Sequence, residues 1–179
     1  MAARPREKDK MIKKIIAAAL VSLAFVLCAS AQVRQPSKAK GPFVVKTKQQ
    51  VDAIQKELEG KPGNTSSDIV AAAGNQMRVA VFHDTKREGD NVELHDASDD
   101  IYYVLAGKAT LMLGGTLDSP NEISPGEWRA KTATGGQKVE IKKGDLIIVP
   151  RGTPHQRTVT GKGFSMILVK VFASDQPAK

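Results

Sequence analysis

The segment from Gly144 to His155 constrains the fold of this chain more than any other. Residues 146–149, Leu-Ile-Ile-Val, form a continuous apolar run rich in β-branched side chains, which is typical of a core strand. Pro150 fixes its own φ and Gly152 permits a positive φ, so the chain can reverse tightly after the strand. The segment therefore predicts a buried strand, a rigid turn and a histidine held in a defined place. The alternative is a hairpin with an incidental surface histidine.

A second polar group lies upstream, around Glu93, His95 and Asp100. Side chains alternate between the two faces of a strand, so Glu93 and His95 would share one face. Asp100 and Tyr102 would likewise share one face of the following strand. If the turn at 96–99 folds the two strands together, Glu93, His95 and Asp100 can converge. The alternative is an acidic, solvent-exposed hairpin tip, because aspartate suits turns.

With these two segments the chain resembles the cupin superfamily. The second cupin motif is Gly, five residues, Pro, one residue, Gly, two residues and His, and residues 144–155 match every one of these positions. The Asn that follows three residues later in the motif is replaced by Val159. The first motif is His-x-His, four residues, Glu, six residues and Gly. In this chain it keeps every spacing but substitutes two of the three ligand positions, and it reads Glu93, His95, Asp100 and Gly107.

The resemblance implies an all-β fold, a double-stranded β-helix or jelly-roll barrel. It also implies a divalent transition metal (Mn, Fe, Zn or Ni), with a ligand set of Glu93, His95, Asp100 and His155. Cupins typically hold the ion with three imidazoles and one carboxylate, whereas this chain offers two of each, and both ligand types suit these metals. Asp100 is one methylene shorter than the usual Glu. A metal-free binding barrel is the alternative.

Three further residues are candidates for the interior of the barrel. Tyr102 and Arg157 are predicted to face inward, Arg157 because it shares strand parity with His155. His83 shares its predicted strand face with apolar residues, which favours a place in the core or barrel wall. His83 is also the natural substitute ligand if Asp100 does not reach the metal.

A long insertion separates two of the predicted strands, at residues 114–137. It contains the only tryptophan of the chain, Trp128, beside Arg129. Long loops in compact domains are often functional. One interpretation is a lid over the barrel mouth, in which Trp128 stacks on a ring and Arg129 pairs with an anion. The other is an Ω-loop whose tryptophan packs on the barrel wall.

The remaining elements are predicted from local patterns. Residues 47–50 resemble a capping box, and the apolar spacing that follows, ended by Gly60, predicts an amphipathic helix over about 48–59 outside the sheet. Residues 43–45 could form a short edge strand, 61–67 a turn-rich connector, and the β-rich part begins near Ile69. Strands are predicted at 77–83, 91–95, 101–106, 108–113, 138–141, 146–149, 155–160 and 164–172. The last of these is expected to be central or, alternatively, to offer one face for a homodimer.

The first residues follow the pattern of a signal peptide. A basic start at 11–14 precedes an apolar stretch at 15–27, which is too short for a comfortable membrane span, and Ala29-Ser30-Ala31 forms a small-x-small cleavage sequence. We predict cleavage between Ala31 and Gln32, with Met11 as the true start. This places the protein in the periplasm or outside the cell, with no membrane span after cleavage.

The predicted domains are a signal peptide (1–31), an arm with a helix (32–68) and a barrel (69–174) that carries the insertion. Cys28 precedes the predicted cut, so the mature protein would have neither disulfides nor thiolate ligands.

Charge gives no indication of a nucleic-acid partner. The net charge is +8, but residues 1–31 contain six Lys or Arg and two Asp or Glu, which leaves an excess of four positive charges in the rest. Basic residues there form no stripe interleaved with aromatic residues. The resemblance to the cupins implies a small molecule as the partner.

Three functions are consistent with these features. The first is a metal-dependent enzyme acting on a small polar organic molecule, of dioxygenase, isomerase or decarboxylase type. The second is a non-catalytic periplasmic binding module for a sugar or organic acid. The third is a dimeric stress or storage protein with a vestigial barrel.

Overall fold

The computed structural model describes Met11 and residues 35–177. The predicted signal peptide, apart from Met11, and its cut between Ala31 and Gln32 lie outside the described residues. The chain divides into two compact units, residues 1–42 and 43–179, and the fold below is that of the second. Among the described residues there is no helix with the length and apolar character that a membrane crossing requires.

The second unit is built almost entirely from antiparallel strands. One helix, α1 (Lys48–Glu59), precedes them. In chain order the strands are β1 (Asn64–Val70), β2 (Met77–Asp84), β3 (Val92–His95), β4 (Ser98–Leu113), β5 (Thr116–Leu117), β6 (Asn121–Ser124), β7 (Glu127–Ala130), β8 (Ala133–Thr134), β9 (Gln137–Lys142), β10 (Leu146–Val149), β11 (His155–Thr158) and β12 (Phe164–Phe172).

Helix α1 is confirmed with the predicted bounds. The Thr47 hydroxyl accepts a hydrogen bond from the backbone amide of Gln50, and the Gln50 side chain accepts one from the backbone amide of Thr47, which completes the capping box. Leu58 is fully buried, and Val51 and Ile54 are partly buried, so one face of the helix packs against β1 and β2. The helix lies on the outside of the sheet, as expected.

Strand β4 belongs to both layers of the barrel. Its first part pairs with β12 and β10, and its second part, residues 108–113, pairs with β9 and β11. The chain bends at Gly107, where φ is +76°. A side chain there would lie 2.1 Å from the backbone oxygen of Gly163, so only glycine permits this close crossing. The two strands predicted at 101–106 and 108–113 are therefore one continuous strand.

The two layers enclose an apolar core, and the jelly-roll prediction is confirmed. One layer runs β1-β2-β12-β4-β10, and the other contains β9, β4, β11, β3, β7 and β6. Aliphatic and aromatic side chains from both layers fill the space between them, among them Val104, Leu111, Ile141, Phe164 and Met166. Burial of such side chains is the main favourable contribution to folding.

Three predicted boundaries are wrong. Residues 43–45 form no strand, and Phe43 is 93% exposed. The β-structure begins at Asn64 and not near Ile69, because pairing with β2 holds a segment whose polar composition resembles a connector. The insertion at 114–137 is not an irregular loop: β6 and β7 form a hairpin that joins the second layer, and β5 pairs with β8.

Strand β12 lies between β2 and β4, so its predicted central position is confirmed. Its side chains are buried or partly buried. Large exposed hydrophobic side chains occur on other strands, among them Tyr103, Leu146 and Ile148, so β10, which was expected to be buried, is exposed on one face. The homodimer stays a prediction.

Candidate metal centre

Neighbouring strands bring the predicted metal ligands together. His155, the first residue of β11, lies opposite Glu93 of β3, and His95 is two residues further along the same face of β3. Asp100 enters from β4, where it is 3% exposed. The convergence expected from strand parity is therefore present in the structure.

Three of these residues offer ligand atoms in one small region. The ligand atoms of Glu93, His95 and His155 all lie within 4.8 Å of one another. The Nε2 atom of His95 is 3.7 Å from the Glu93 carboxylate, and the two imidazole ring centroids are 5.0 Å apart. A single ion could contact all three side chains after small rotations.

The hydrogen bonds of both histidines leave Nε2 as the free ligand atom. His155 Nδ1 lies 2.9 Å from the backbone oxygen of Thr153, and because a carbonyl only accepts, Nδ1 carries the proton. His95 Nδ1 donates in the same way to the Glu127 carboxylate at 2.6 Å. In the neutral rings each Nε2 then has a lone pair directed at the centre. A carboxylate behind a histidine is the usual support for a metal-bound imidazole.

His155 provides the sharpest indication of a missing partner. Its Nε2 atom is buried and has no hydrogen-bond partner among the described residues. Burial lowers the pKa of His155, which favours the neutral ring that binds metal. A buried polar atom without a partner is costly and needs an explanation, and a bound metal ion supplies one.

Asp100 is close to both imidazoles but is also held by a lysine. Its Oδ2 atom is 3.6 Å from His95 Nε2 and 3.9 Å from His155 Nε2. Its Oδ1 atom forms an ion pair of 2.6 Å with Lys170. Tyr102 donates a hydrogen bond to Oδ2 at 3.2 Å, and burial together with the Asp100 charge raises the pKa of this phenol. Asp100 therefore sits at the centre with a cationic partner of its own.

Two arginines approach the other carboxylate. Arg87 Nη2 is 3.3 Å from Glu93 Oε1, and Arg129 Nη2 is 3.7 Å from Glu93 Oε2. The guanidinium of Arg87 also pairs with Asp90 at 2.8 Å. Arg129 thus pairs with a carboxylate of the site, although the sequence suggested that it would pair with a free anion from a lid.

The predicted inward position of Arg157 is confirmed. Its Nε atom donates to Asp84 Oδ2 at 2.7 Å, and its guanidinium carbon lies 6.0 Å from the centroid of the Tyr102 ring. Beside it is a cavity of about 20 Å³, which is room for one water-sized group. The cavity is lined by Arg87, Asn91, Glu93, Tyr102, His155, Gln156 and Arg157.

A wider depression of about 510 Å³ lies at the rim of the barrel. It shares Asn91 and Glu93 with the small inner cavity. Ile123 and Arg129 complete part of its wall, so the inserted hairpin contributes to this rim. A ligand could lie in the outer depression with one end directed at the metal ligands.

His83 does not belong to the group of ligand atoms formed by Glu93, His95 and His155. It is 7% exposed, and its Nδ1 atom is 2.9 Å from the Ser165 hydroxyl on the neighbouring strand β12. The backbone of Gly163 also packs against the His83 ring, since a side chain on Gly163 would lie 3.0 Å from its Cε1 atom. This buried position agrees with the favoured interpretation of His83 as a residue of the core or barrel wall.

Trp128 does not cover the mouth of the barrel. Strand β7 pairs with β3 so that Trp128 lies opposite Leu94, on the face turned away from the metal ligands. Its Nε1 atom donates to Asp96 Oδ2 at 2.7 Å. Both side chains line a separate cavity of about 350 Å³ with Leu117 and Pro120. The lid interpretation is therefore wrong, because side chains of adjacent residues on a strand point in opposite directions.

The turn that delivers His155 is fixed at both ends. The backbone amide of Gly152, at φ +76°, donates to the His95 oxygen at 2.7 Å. Arg151 forms side-chain hydrogen bonds of 2.6 and 3.1 Å with the Asp99 carboxylate, which lowers the pKa of Asp99 to about 2. The turn is therefore tied both to β3 and to β4, the strands that supply the other ligands.

Sequence reasoning missed two supporting residues. Glu127 lies opposite His95. The sequence does not indicate which strand face Glu127 occupies, because the insertion resembles a loop. The pattern Glu-Trp-Arg-Ala at 127–130, with alternating charged and apolar residues, is the signal that could have identified it. Lys170 is separated from Asp100 by most of the barrel sequence, and only the pairing of β12 with β4 brings them together.

No protein-family model matches the chain, and no curated protein matches it. Among solved structures it is similar to BH2720 from Bacillus halodurans, with 16% identity, a TM-score of 0.50, and coverage of 81% of this chain and 92% of that one. KdgF from Halomonas sp. is 16% identical, with a TM-score of 0.46 over 65% of this chain and 86% of that one. A cupin superfamily protein from Desulfitobacterium hafniense is 17% identical, with a TM-score of 0.40 over 63% and 80%. Such identities concern the fold and not the chemistry. The two-layer antiparallel barrel of this chain is the fold that its resemblance to the cupins implies.

Proposed function

We propose that this protein is an exported cupin that binds a divalent transition metal in its barrel and acts on a small organic acid. The observation that carries the proposal is the unpartnered Nε2 atom of buried His155, directed toward His95 and Glu93. Export is supported only by the signal-peptide pattern of residues 11–31.

The donor atoms fit a metal such as Mn, Fe, Zn or Ni. Two neutral imidazoles and the Glu93 carboxylate match the preferences of these ions. Asp100 is near enough to serve as a fourth ligand if it is released from Lys170. Three or four protein ligands leave positions free for a substrate in the preferred geometries of these metals.

The charges around the centre favour an anionic substrate. Within the described part of the chain, each carboxylate of the site has a basic neighbour: Glu93 has Arg87 and Arg129, Asp100 has Lys170, and Asp84 has Arg157. The site is therefore close to neutral before a metal binds. A divalent ion would add two positive charges in a largely buried place, and an organic acid would compensate them.

A bound ion would act as a Lewis acid toward the oxygen atoms of the substrate. The chain itself provides the remaining functions. Arg87 in the inner cavity and Arg129 in the outer depression both contact Glu93, and their remaining N–H groups can orient a substrate carboxylate. The inner cavity of about 20 Å³ has room for a single water-sized group, such as one end of a substrate. Tyr102 keeps its proton, because its pKa is raised, and donates a hydrogen bond to Asp100 beside this cavity.

Three reaction types are compatible with this arrangement: dioxygenation, isomerisation and decarboxylation. All three need substrate oxygens held at a metal with the reacting carbon shielded from solvent. The proposed enzyme is therefore defined by its site and substrate class, and a substrate screen of small organic acids would distinguish the reactions.

The first test is elemental analysis of protein purified from the full chain, without chelators. About one metal ion per chain is expected, and it should be lost in a His155→Ala variant. The matched control is His83→Gln, which changes another buried histidine and should keep the metal. Absence of metal in the unmodified protein, even after reconstitution, would contradict the proposal.

A binding module is the second candidate, and calorimetry separates it from an enzyme. An organic acid that binds tightly to metal-free protein and is recovered unchanged would favour the module. Binding that requires the metal, followed by conversion of the acid, would favour the enzyme.

A further inference from the structure

A group of lysines surrounds another cavity, which shares no residue with the candidate metal centre. The cavity has a volume of about 530 Å³, and only lysine and glycine residues line it. It lies where the bend of β4, the turn after β9 and the turn before β12 meet. We call it the lysine pocket, and its residues are Gly107, Lys108, Lys142, Lys143, Gly161, Lys162 and Gly163.

The lysines of this pocket have no ion-pair partner within residues 35–177. Elsewhere on the surface, Lys48 pairs with Asp52 at 2.5 Å and Lys61 with Glu57 at 2.6 Å. Two carboxylates near the pocket are already engaged. Glu140 accepts a hydrogen bond from the Thr110 hydroxyl, and Asp145 accepts one from the backbone amide of Lys142 at 2.8 Å. Neither carboxylate forms an ion pair with a lysine of the pocket, so the four ammonium groups around the cavity have no paired counter-charge among the described residues.

This arrangement is unfavourable in the isolated protein. Lys108 on β4 lies directly opposite Lys142 on β9 in the strand register. Like charges at directly opposed positions of an antiparallel pair destabilise a sheet. Lys143 follows Lys142 in the sequence and lines the same cavity. An anion bound among these side chains would attract each ammonium group and so offset the repulsion between the lysines.

The backbone beneath the lysines is held in place. Gly107 and Gly163 cross so closely that a side chain on Gly107 would lie 2.1 Å from the Gly163 oxygen. Both glycines have positive φ, at +76° and +116°, which other residues rarely adopt. The turns that carry Lys108 and Lys162 are thus fixed relative to each other, and a ligand would find the two side chains anchored on one platform.

We propose that the lysine pocket binds a small, multiply charged oxyanion of the phosphate type. Lysine ammonium groups act as compact point charges and suit phosphate without the flat geometry that arginine imposes. Four such groups around one cavity favour an anion with several charges, such as a diphosphate group, over a simple carboxylate. The phosphate could belong to a soluble molecule or to a lipid headgroup.

Titration with inorganic pyrophosphate tests the proposal. Calorimetry should show saturable binding that weakens with added salt. Lys108→Met and Lys142→Met keep the apolar stem and remove the charge, and each should weaken binding about fivefold, as expected for the loss of one exposed ion pair. Lys138→Met is the matched control, because Lys138 is an exposed residue of the same strand outside the pocket.

A thermal measurement adds a readout that a general surface effect would not give. Without anion, Lys108→Met should melt at a higher temperature than the unmodified protein, because it removes the opposed like charges. With pyrophosphate, the unmodified protein should gain more in melting temperature than the variant does. Equal gains in both proteins would overturn the proposal.

Two further experiments identify the site at which the anion binds and the kind of molecule that carries the phosphate. Pyrophosphate must bind the His155→Ala variant as well as the unmodified chain, since binding lost in that variant would place the anion on the metal and overturn the proposal. Vesicles that contain phosphatidylglycerol then test the lipid source. Vesicle binding that pyrophosphate displaces would assign the phosphate to a headgroup, and failure to bind vesicles would assign it to a soluble molecule.

Discussion

The two faces of the ribbon formed by β3 and β7 differ sharply although they are built from the same two strands. The inner face presents Glu93 and His95 from β3, with Arg129 and Glu127 opposite them. The outer face presents Leu94 and Trp128 in contact with an apolar cavity. Every inner side chain has a charged or metal-binding neighbour, whereas the outer ones contribute chiefly buried apolar area.

The comparison shows that side chains of the insertion lie behind the candidate metal ligands. A hairpin that joins an existing strand adds side chains to both faces at once, and parity alone decides which of them meet the ligands. Glu127 and Arg129 reach the centre because they alternate with Trp128. Substitutions on the inner face should therefore alter metal binding, and substitutions on the outer face should alter stability.

The largest contrast is expected between neighbours on β3. His95→Ala removes a ligand and should abolish metal binding in elemental analysis, with the fold retained by circular dichroism. Leu94→Ala should keep the metal and lower the free energy of unfolding by about 2 kcal/mol, at the low end for Leu→Ala because Leu94 is only partly buried. Loss of metal in Leu94→Ala would contradict the expectation that only the inner face affects metal binding.

The next effect concerns the support of His95. Glu127→Gln removes the charge that accepts the Nδ1 proton at 2.6 Å. Metal affinity should fall about 10- to 100-fold, as is usual when such a supporting carboxylate is lost. Trp128→Phe is the control on the adjacent position of the same strand. Competition with a coloured chelator would measure both variants, and equal affinities would contradict the role of Glu127.

The stability of the metal-free protein should depend on pH through His155 of the inner face. Burial lowers the pKa of His155 in the folded state below its ordinary value of 6.5. Between the two pKa values the unfolded chain binds a proton at His155 more readily than the folded protein does. The free energy of unfolding is therefore at its full value above pH 6.5 and decreases as the pH falls toward the folded pKa. Urea denaturation across this range should show a decrease on acidification that is smaller in His155→Ala. Identical slopes would refute this assignment.

The smallest effect is expected on the outer face. Asp96→Asn replaces the carboxylate that accepts the Trp128 Nε1 proton at 2.7 Å. We expect a loss of about 1 kcal/mol in the free energy of unfolding, since the bond is exposed. Because Trp128 is the only tryptophan of the chain, its fluorescence should report the change directly. Metal content should stay at its original value.

The convergence of the metal ligands could be predicted because it depends on spacing within two short segments. Strand parity places Glu93 beside His95, and the stiff turn at Pro150 and Gly152 places His155. Helix α1 was likewise predicted to the residue, because its capping box and stop are local signals. Features of this kind need no knowledge of distant partners.

Features that depend on long-range pairing could not be predicted. Strand β1 has a polar sequence, and only its pairing with β2 makes it a strand. The strands of the insertion are two to four residues long, too short for periodicity to be recognised. Lys170 approaches Asp100 only through the register of β12 against β4. In each case a neighbour remote in sequence decides the outcome.

The continuity of β4 through Gly107 has a consequence for the folding of the chain. A strand shared by both layers must be in place before either layer is complete, and many of its contacts join residues far apart in sequence, which slows assembly. His155 pairs with β4 as well as with β3, so its metal-binding position exists only after the layers have closed. The ion would then bind late and select the finished barrel, and metal supply would raise the yield of folded protein without accelerating its formation.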